Sequence, residues 1–319
     1  MAESVEDHCR RVVRAMAQGR VIPLLGAGVN LCGRPPDAAW LPGAYLPSVG
    51  ELARHLAERF DYPRDETLDL VRVSEYAFVM SGSGPLYEEL HQVFDADYAI
   101  SPLHRFLAGL PRRLEQVNQP RRCQLIVTTN YDDALERAFR EAGEPFDLVC
   151  YIAEGDHRGK FAHWPPEGEP TLIEIPNEYE KLRPGERSVI LKIHGAVDRA
   201  GLEAEWDSYV ITEDHYIDYL TRTEIQNLVP VMLAMQLRRS HFLFLGYSMR
   251  DWNLRVILHR IWGEQRLKYK SWAIQRDPDR LEREFWGLRG VDVYDVPLEE
   301  YVPALEAALA ELQQMPAGP

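Results

Sequence analysis

Two segments of the sequence end in residues that could bind or orient parts of a nucleotide. Gly26-Ala27-Gly28 follows an apolar run, where glycines let the backbone approach a phosphate closely. The usual G-x-G-x-x-G pattern is incomplete, so a tight turn without a ligand explains this motif equally well. Asn130 and Asp132 follow another apolar run and could orient a water molecule or a ribose hydroxyl. Helix capping would explain one of them, but it needs only one.

Two further segments add a histidine and a second glycine turn. His194 follows an apolar run and could act as a general base near neutral pH, although a lone histidine there is more often structural. Gly246 and Ser248 form the second turn, with Asp251 and Asn253 just behind it. They could hold ribose or phosphate, or cap a helix. Four apolar runs that each end in glycine or polar residues at one sheet edge are unexpected by chance. Together they predict one polar, nucleotide-sized cleft.

A β-sheet must bring these four segments together, and the sequence predicts such a sheet. Short runs rich in β-branched and aromatic residues are typical of buried strands and occur at 20–25, 123–128, 146–152, 188–193, 241–245, 270–274 and 291–296. Helical periodicity occurs over 4–19, 132–142, 224–239, 251–265 and 298–312. The alternation of strands and helices predicts an α/β fold with a doubly wound, Rossmann-like parallel sheet.

Two stretches interrupt this alternation within what we predict to be a single domain over residues 1–319. Residues 34–120 have a Pro- and Gly-rich lead followed by helix-like segments, which predict a helical insertion folded over the sheet. Residues 153–187 contain many Gly and Pro and no helical period. A loop of this length predicts an irregular insertion that acts as a flap or a partner surface.

Composition and charge exclude several classes of protein. A hydrophobic content of 45% over 319 residues is enough for a folded core, which excludes a disordered chain. The formal net charge of −14 repels phosphate backbones and anionic lipid, so we expect neither nucleic acid nor membrane as a partner. The cysteines are scattered without a Cys-x-x-Cys pair, which argues against disulfides and a zinc site. We expect a cytoplasmic protein, since the sequence opens without an apolar signal segment.

The order of the four motifs GAG, TTNYD, KIHG and GYS resembles that of the sirtuin superfamily over residues 20–255. The remaining segments, including ITEDHY at 211–216, resemble the sirtuin-like NADases of bacterial anti-phage defence. This resemblance implies that NAD is the substrate and is hydrolysed to nicotinamide and ADP-ribose without a metal. It also implies a homo-oligomer whose activity depends on a trigger, which a separate sensor or ATPase protein could supply.

The resemblance also implies roles for individual residues. Asn130 would hold the ribose and position a water molecule, and His194 would be the general base. The other implied residues bind NAD, with the pyrophosphate at the first turn, the nicotinamide end at Asp132 and the adenosine side at the second turn: Gly26, Ala27, Gly28, Asn30, Thr129, Asp132, Gly246, Ser248, Asp251 and Asn253.

The sequence departs from the sirtuin pattern at three of its positions. Asn30 stands where the family has serine, Thr129 stands where it has glutamine, and no Phe-Arg pair can be placed around Arg34. The four-cysteine zinc module of the deacylating members is absent from the sequence. That weakens the first alternative, an NAD-dependent protein deacylase. The second alternative is a non-catalytic module that senses NAD or ADP-ribose, although binding alone would need no base.

Overall fold

The computed structural model describes residues 4–116, 122–199, 205–221, 225–249, 252–262 and 269–314. They form an α/β fold around a nine-stranded sheet. Its strands are β1 (Val21–Leu25), β2 (Leu125–Thr128), β3 (Phe146–Tyr151), β4 (Phe161–Trp164), β5 (Thr171–Leu172), β6 (Ser188–Lys192), β7 (His241–Leu245), β8 (Ser271–Gln275) and β9 (Val291–Asp295). The spatial order is β5-β4-β3-β6-β2-β1-β7-β8-β9. The β3–β4 and β4–β5 pairs are antiparallel, and the other pairs are parallel.

Helices cover both faces of this sheet and one of its edges. They are α1 (Val5–Ala17), α2 (Val49–Arg59), α3 (Leu70–Ser81), α4 (Ser83–Phe94), α5 (Pro102–Glu115), α6 (Ala134–Ala142), α7 (Glu213–Thr221), α8 (Ile225–Leu228), α9 (Val231–Arg239), α10 (Trp252–Trp262), α11 (Arg280–Gly287) and α12 (Leu298–Gln314). Within the described ranges, no helix is both long and apolar enough to cross a membrane.

Each face of the sheet buries its own apolar core. Successive residues of a strand point to opposite faces, so Leu24 packs in one core and Leu25 in the other. Helices α1, α5, α6 and α12 cover the face that holds Leu25, while α7, α9, α10 and α11 cover the opposite face. Burial on both faces explains why the strands read as continuous apolar runs. The predicted doubly wound, Rossmann-like sheet is confirmed.

The sheet has a topological switch point between β1 and β7. From β1 the chain builds the sheet outward through β2 on one side, and it later returns to add β7, β8 and β9 on the other side. Ligands of open α/β sheets bind in the crevice outside the carboxyl ends of the strands at such a point. The turns that follow β1 and β7 therefore meet where a ligand is expected.

Helices α2, α3 and α4 form a third core beside the carboxyl edge of the sheet. Leu52, Val73 and Leu90 are buried there together with Tyr209, which belongs to the segment after β6. The predicted insertion over 34–120 therefore contains these three helices. Helix α5 falls within the same range but packs in the core that covers Leu25, because Leu107 and its neighbours face the sheet.

Some elements differ from the sequence-based prediction. The irregular stretch over 153–187 contains β4 and β5, which extend the sheet as short antiparallel strands, too short for a clear strand pattern. The helical pattern over 224–239 is divided between α8 and α9, because Pro230 has no N–H to continue a helix. Helices α7 and α11 were not predicted from periodicity.

Candidate functional site

The turns after β1 and β7 touch through their backbones. The N–H of Gly26 donates to the carbonyl oxygen of Leu245 at 2.9 Å, and the N–H of Gly28 donates to that of Gly246 at 2.9 Å. Gly246 has φ +72°, and a Cβ there would lie 2.3 Å from the backbone nitrogen of Val29. A Cβ on Gly28 would lie 2.8 Å from the carbonyl oxygen of Gly246. Contact between the turns therefore requires these glycines, whatever ligand they also bind.

A cavity of about 490 Å³ opens beside this contact, and we call it the His194 cavity. Its size is within the usual range for small-molecule sites. Residues of α2 and α3 form part of its wall, together with most of the residues predicted for the site: Ala27, Gly28, Asn30, Thr129, Asn130, Asp132, His194, Gly246 and Ser248. The structure thus brings residues from four separate motifs to one cavity.

Gly26 does not belong to that wall, and the structure does not describe the side chains of two other predicted residues. Gly26 is buried behind it, where its carbonyl oxygen accepts a hydrogen bond from the side chain of Asn130. Asp251 lies outside the described residues, and the side chain of Asn253, at the start of α10, is also outside them. Their predicted contacts with NAD therefore stay predictions.

Asn130 is held at the end of β2 by hydrogen bonds on two sides. Its Nδ2 donates to the carbonyl oxygen of Gly26 at 3.3 Å, and its backbone N–H donates to Oγ1 of Thr128 at 3.1 Å. Oγ1 of Thr128 donates in turn to the carbonyl oxygen of Leu25 at 3.2 Å. These bonds join the ends of β1 and β2, so the amide of Asn130 has a fixed place beside the first glycine turn.

Asp132 both accepts a hydrogen bond from the start of a helix and orients a second asparagine. Its Oδ1 accepts from the N–H of Ala134 at 3.0 Å, in the first turn of α6. Its Oδ2 accepts from Nδ2 of Asn30 at 2.7 Å. Because a carboxylate accepts but does not donate, Asn30 must present its nitrogen to Asp132. Oδ1 of Asn30 is then a buried acceptor for which the described residues provide no donor.

His194 is buried between two tyrosines of α7. Its ring centroid lies 5.5 Å from that of Tyr216 and 5.4 Å from that of Tyr219, and both contacts are edge-to-face. The carbonyl oxygen of His194 accepts from the N–H of Val210 at 2.9 Å. Gly195 follows with φ +86°, where a Cβ would lie 2.1 Å from the backbone oxygen of Ser208. These contacts fix the position of the imidazole, and His194 as a whole residue is 3% exposed.

Periodicity did not identify two aromatic residues of the site. Tyr216 lines the His194 cavity from α7, and the ITEDHY segment that contains it was noted only through the family resemblance. Tyr247 lies between the glycine and serine of the second turn. Its hydroxyl is 2.9 Å from Oγ1 of Thr129 and donates to the carbonyl oxygen of Leu25 at 3.1 Å. An aromatic residue inside a glycine turn at a sheet edge is the signal that could have identified it.

Arg34, where the sirtuin pattern is broken, serves a structural purpose. Its guanidinium lies 2.6 Å from the carboxylate of Glu51, which also forms a capping box with Ser48 at the start of α2. Hydrogen bonding to Arg34 and then to Ser48 and Trp40 holds the pKa of Glu51 well below its ordinary value, although burial opposes this. The Pro-rich lead is thereby tied to the helix that covers the His194 cavity.

A second cavity of about 690 Å³ adjoins the first across the touching turns. We call it the Gln275 cavity, since Gln275 and Arg276 at the end of β8 line it. Gly28, Gly246 and Tyr247 belong to the walls of both cavities. An elongated molecule could therefore lie across the switch point with one end in each cavity.

The described residues contain no group of three or more His, Cys, Asp or Glu that could hold a metal ion. Among the described residues, Cys9, Cys32, Cys123 and Cys150 form no disulfide. Burial, as the largest cause, raises the pKa of Cys32 to about 11, so that thiol stays protonated at neutral pH. The expectation that the reaction uses no metal stays a prediction.

Comparison with known proteins gives one family and several relatives. Residues 124–294, more than half of the chain, match the model of the SIR2-like domain. NAD(+) hydrolase ThsA of Cytobacillus dafuensis is 25% identical over 210 residues, which are 66% of this chain and 34% of the relative. NAD(+) hydrolase ThsA of Acinetobacter baumannii (strain 532279) is 26% identical over 254 residues, 79% of this chain and 41% of the relative.

A third relative and a solved structure are also similar to this chain. NAD(+) hydrolase ThsA of Enterococcus faecium is 26% identical over 254 residues, which are 79% of this chain and 42% of the relative. The chain thus spans less than half the length of the curated relatives it matches. A structure described as "Structural Basis for the Mechanism and Regulation of Sir2 Enzymes" aligns over 97% of this chain and 99% of its own, with 12% identity and a TM-score of 0.44.

Proposed function

We propose, since this chain belongs to the family of SIR2-like domains, that it hydrolyses NAD at the bond between nicotinamide and ribose. The products would be nicotinamide and ADP-ribose. One observation carries the proposal: Asn130 and His194, which follow different strands, line a single cavity beside the touching turns at the switch point. The relatives named NAD(+) hydrolase favour the same substrate.

The two adjoining cavities suit the two halves of a dinucleotide. The nicotinamide riboside would occupy the His194 cavity, and the adenosine would occupy the Gln275 cavity near Ser248. The pyrophosphate would cross the surface formed by Ala27 and Gly28. The N–H groups of Gly26 and Gly28 already donate to protein carbonyls. These glycines would therefore allow the phosphates to approach closely, while other groups would donate hydrogen bonds to the phosphates.

Asn30 provides a specific partner for the nicotinamide. Its Oδ1 is a buried acceptor that receives no hydrogen bond from the described residues, and leaving such an atom unpaired costs free energy. The carboxamide N–H of nicotinamide would satisfy it. Asp132 fixes the orientation of Asn30 through the 2.7 Å hydrogen bond between their side chains. Asp132 would therefore orient the nicotinamide end through Asn30.

The reaction needs positioning more than strong acid or base chemistry, because the nicotinamide of NAD is already a cationic leaving group. The C1′–N bond breaks with its electron pair passing to nicotinamide, and positive charge develops on the ribose. Asn130 would hold a water molecule below C1′. The water oxygen then bonds to C1′ while His194 accepts its proton. Fixed geometry and exclusion of bulk water supply much of the rate enhancement.

Nicotinamide release from NAD by the purified protein tests the proposal. We expect His194→Ala and Asn130→Ala to lower kcat by at least about 100-fold, since each removes a group that acts in the transition state. His241→Gln is the matched control, because His241 begins β7 at the opposite edge of the sheet and should leave the rate unchanged. Parent-like rates in both site variants would contradict this assignment.

A role in anti-phage defence rests on the sirtuin-like resemblance. We infer that NAD depletion by this protein limits phage growth, and phage challenge of cells that express the parent or His194→Ala would test it. Formation of O-acyl-ADP-ribose from an acyl-lysine peptide would instead favour the deacylase. The homo-oligomer, the separate sensor or ATPase and the cytoplasmic location stay predictions.

A further inference from the structure

A buried ion pair lies directly behind the loop that carries Asn130 and Asp132. Lys192, the last residue of β6, is 1% exposed, and Glu136 in α6 is 2% exposed. Nζ of Lys192 lies 2.6 Å from Oε1 of Glu136. Removing two charges from water is costly, and an apolar pair of similar volume is often at least as stable. Stability alone is therefore a weak reason for this pair.

The ammonium of Lys192 also binds the backbone of that loop. Nζ donates to the carbonyl oxygen of Tyr131 at 3.3 Å and to the carbonyl oxygen of Asp132. With Glu136 as the third acceptor, the three donors of the ammonium are all used. Burial opposes the charge, but the attraction of Glu136 prevails and raises the pKa of Lys192 above its ordinary value.

Two consecutive carbonyl oxygens that converge on one point repel each other, and a cation between them offsets that repulsion. In an extended chain, successive carbonyls point in opposite directions, and bringing their oxygens together creates repulsion. Tyr131 and Asp132 adopt this convergent arrangement around Lys192. Their peptide groups join Asn130 to the first turn of α6, so the arrangement sets the direction of the side chains of Asn130 and Asp132.

We propose that Lys192 is a positioning residue for the NAD-cleaving site: its buried ammonium gathers the carbonyls of Tyr131 and Asp132 and thereby directs Asn130 and Asp132 into the His194 cavity. The inference rests on the proposed function, because it gives those two side chains their purpose. Glu136 balances the charge, so the ammonium can stay buried and protonated.

The test replaces both charges at once by Lys192→Met and Glu136→Met, which avoids leaving one buried charge unpaired. We expect a folded protein whose kcat for nicotinamide release is at least tenfold below that of the parent, while KM changes less. Amide hydrogen exchange over residues 129–134 should become faster. A folded double variant with a kcat within twofold of the parent would overturn the inference.

A control comes from an ion pair elsewhere in the fold, in which only the carboxylate is fully buried and is also bonded to His163. Arg187 forms hydrogen bonds with the fully buried Asp147, and neither residue lines the His194 cavity. Arg187→Met should lower thermal stability without changing kcat or the exchange rate over 129–134. An equal loss of kcat in this control would show that general destabilisation explains the result, and it would also overturn the inference.

Lys192→Gln provides a second test that does not depend on the double variant folding. Its amide keeps donors for the two carbonyls but carries no charge, so we expect a kcat between those of the parent and the double variant. A parent-like kcat would show that the charge is unnecessary. If the parent itself releases no nicotinamide, the proposed function fails, and hydrogen exchange over 129–134 still decides the role of Lys192. Unchanged exchange in Lys192→Gln would then overturn it.

Discussion

The half of the site built on β1 and β7 is shaped differently from the half built on β2 and β6. In the first half, Gly28 and Gly246 let two turns touch, and an added Cβ would meet backbone atoms. In the second half, the side chains of Asn130, Asp132 and His194 are buried and held by hydrogen bonds or ring contacts. The half built on β1 and β7 requires glycine, which has no side chain. The half built on β2 and β6 requires particular side chains.

This difference separates two consequences of mutation. Adding atoms to the glycine half should unfold or distort the protein, because backbone cannot move aside as a flexible side chain can. Changing functional groups in the polar half should first affect the recognition and cleavage of NAD. Tyr247 belongs to both halves, since it lies in the second turn and its hydroxyl is 2.9 Å from Oγ1 of Thr129.

The largest effect is expected for Gly246→Ala. The new Cβ would lie 2.3 Å from the backbone nitrogen of Val29, at a φ of +72° that strains any residue with a side chain. We expect the free energy of unfolding to fall by about 3 kcal/mol, measured by chemical denaturation. Gly50→Ala, in α2 with open space around it, should be neutral or slightly stabilising. Equal stability of the two variants would remove the distinction between the halves.

A smaller effect is expected when analogues of NAD are tested as substrates of the unaltered protein. Nicotinic acid adenine dinucleotide carries a carboxylate where NAD has a carboxamide, and that carboxylate would face Oδ1 of Asn30 beside Asp132. We expect its kcat/KM to be about 100-fold lower than that of NAD, or about 2.7 kcal/mol. The 3-acetylpyridine analogue, neutral but without N–H donors, should lie between them. Equal kcat/KM values for all three dinucleotides would show that Asn30 does not recognise the carboxamide.

The smallest effect is expected for Tyr247→Phe, which removes the hydroxyl that joins the two halves. The carbonyl oxygen of Leu25 keeps the N–H of Thr129 as a donor, so no buried acceptor is abandoned. We expect a loss of about 1 kcal/mol in the free energy of unfolding. In a double-mutant cycle with Thr129→Val, the two losses should be less than additive. Strict additivity would mean that the hydrogen bond between these side chains contributes nothing.

Much of the fold could be predicted because each element carries its own signal. The seven predicted strands all occur, since strands buried on both faces leave continuous apolar runs such as Val21–Leu25. Short edge strands leave almost no signal, so β4 and β5 were missed. Helix α7 was also missed, since its apolar positions do not form a clear stripe although Tyr216 and Tyr219 are buried.

The contacts that define the site were harder to predict, because they join residues far apart in the chain. The sequence suggested separate roles for Asn30 and Asp132, and the structure shows that their side chains are hydrogen-bonded to each other across 102 positions. In the sequence, Lys192 is marked only by its place in the KIHG motif, although its ammonium reaches two backbone carbonyls of another segment. Local patterns reveal which residue types end a strand, but not which partner each of them meets.

The contact between Gly28 and Gly246 limits how the specificity of this protein could be redesigned. Because a methyl group there would collide with backbone, these two glycine positions cannot carry a library of side chains. Substitutions can be made instead in the part of the wall formed by α2 and α3, where Val49, Leu52 and Leu70 line the His194 cavity. A search for altered dinucleotide preference should therefore diversify these positions of α2 and α3 and leave both turns untouched.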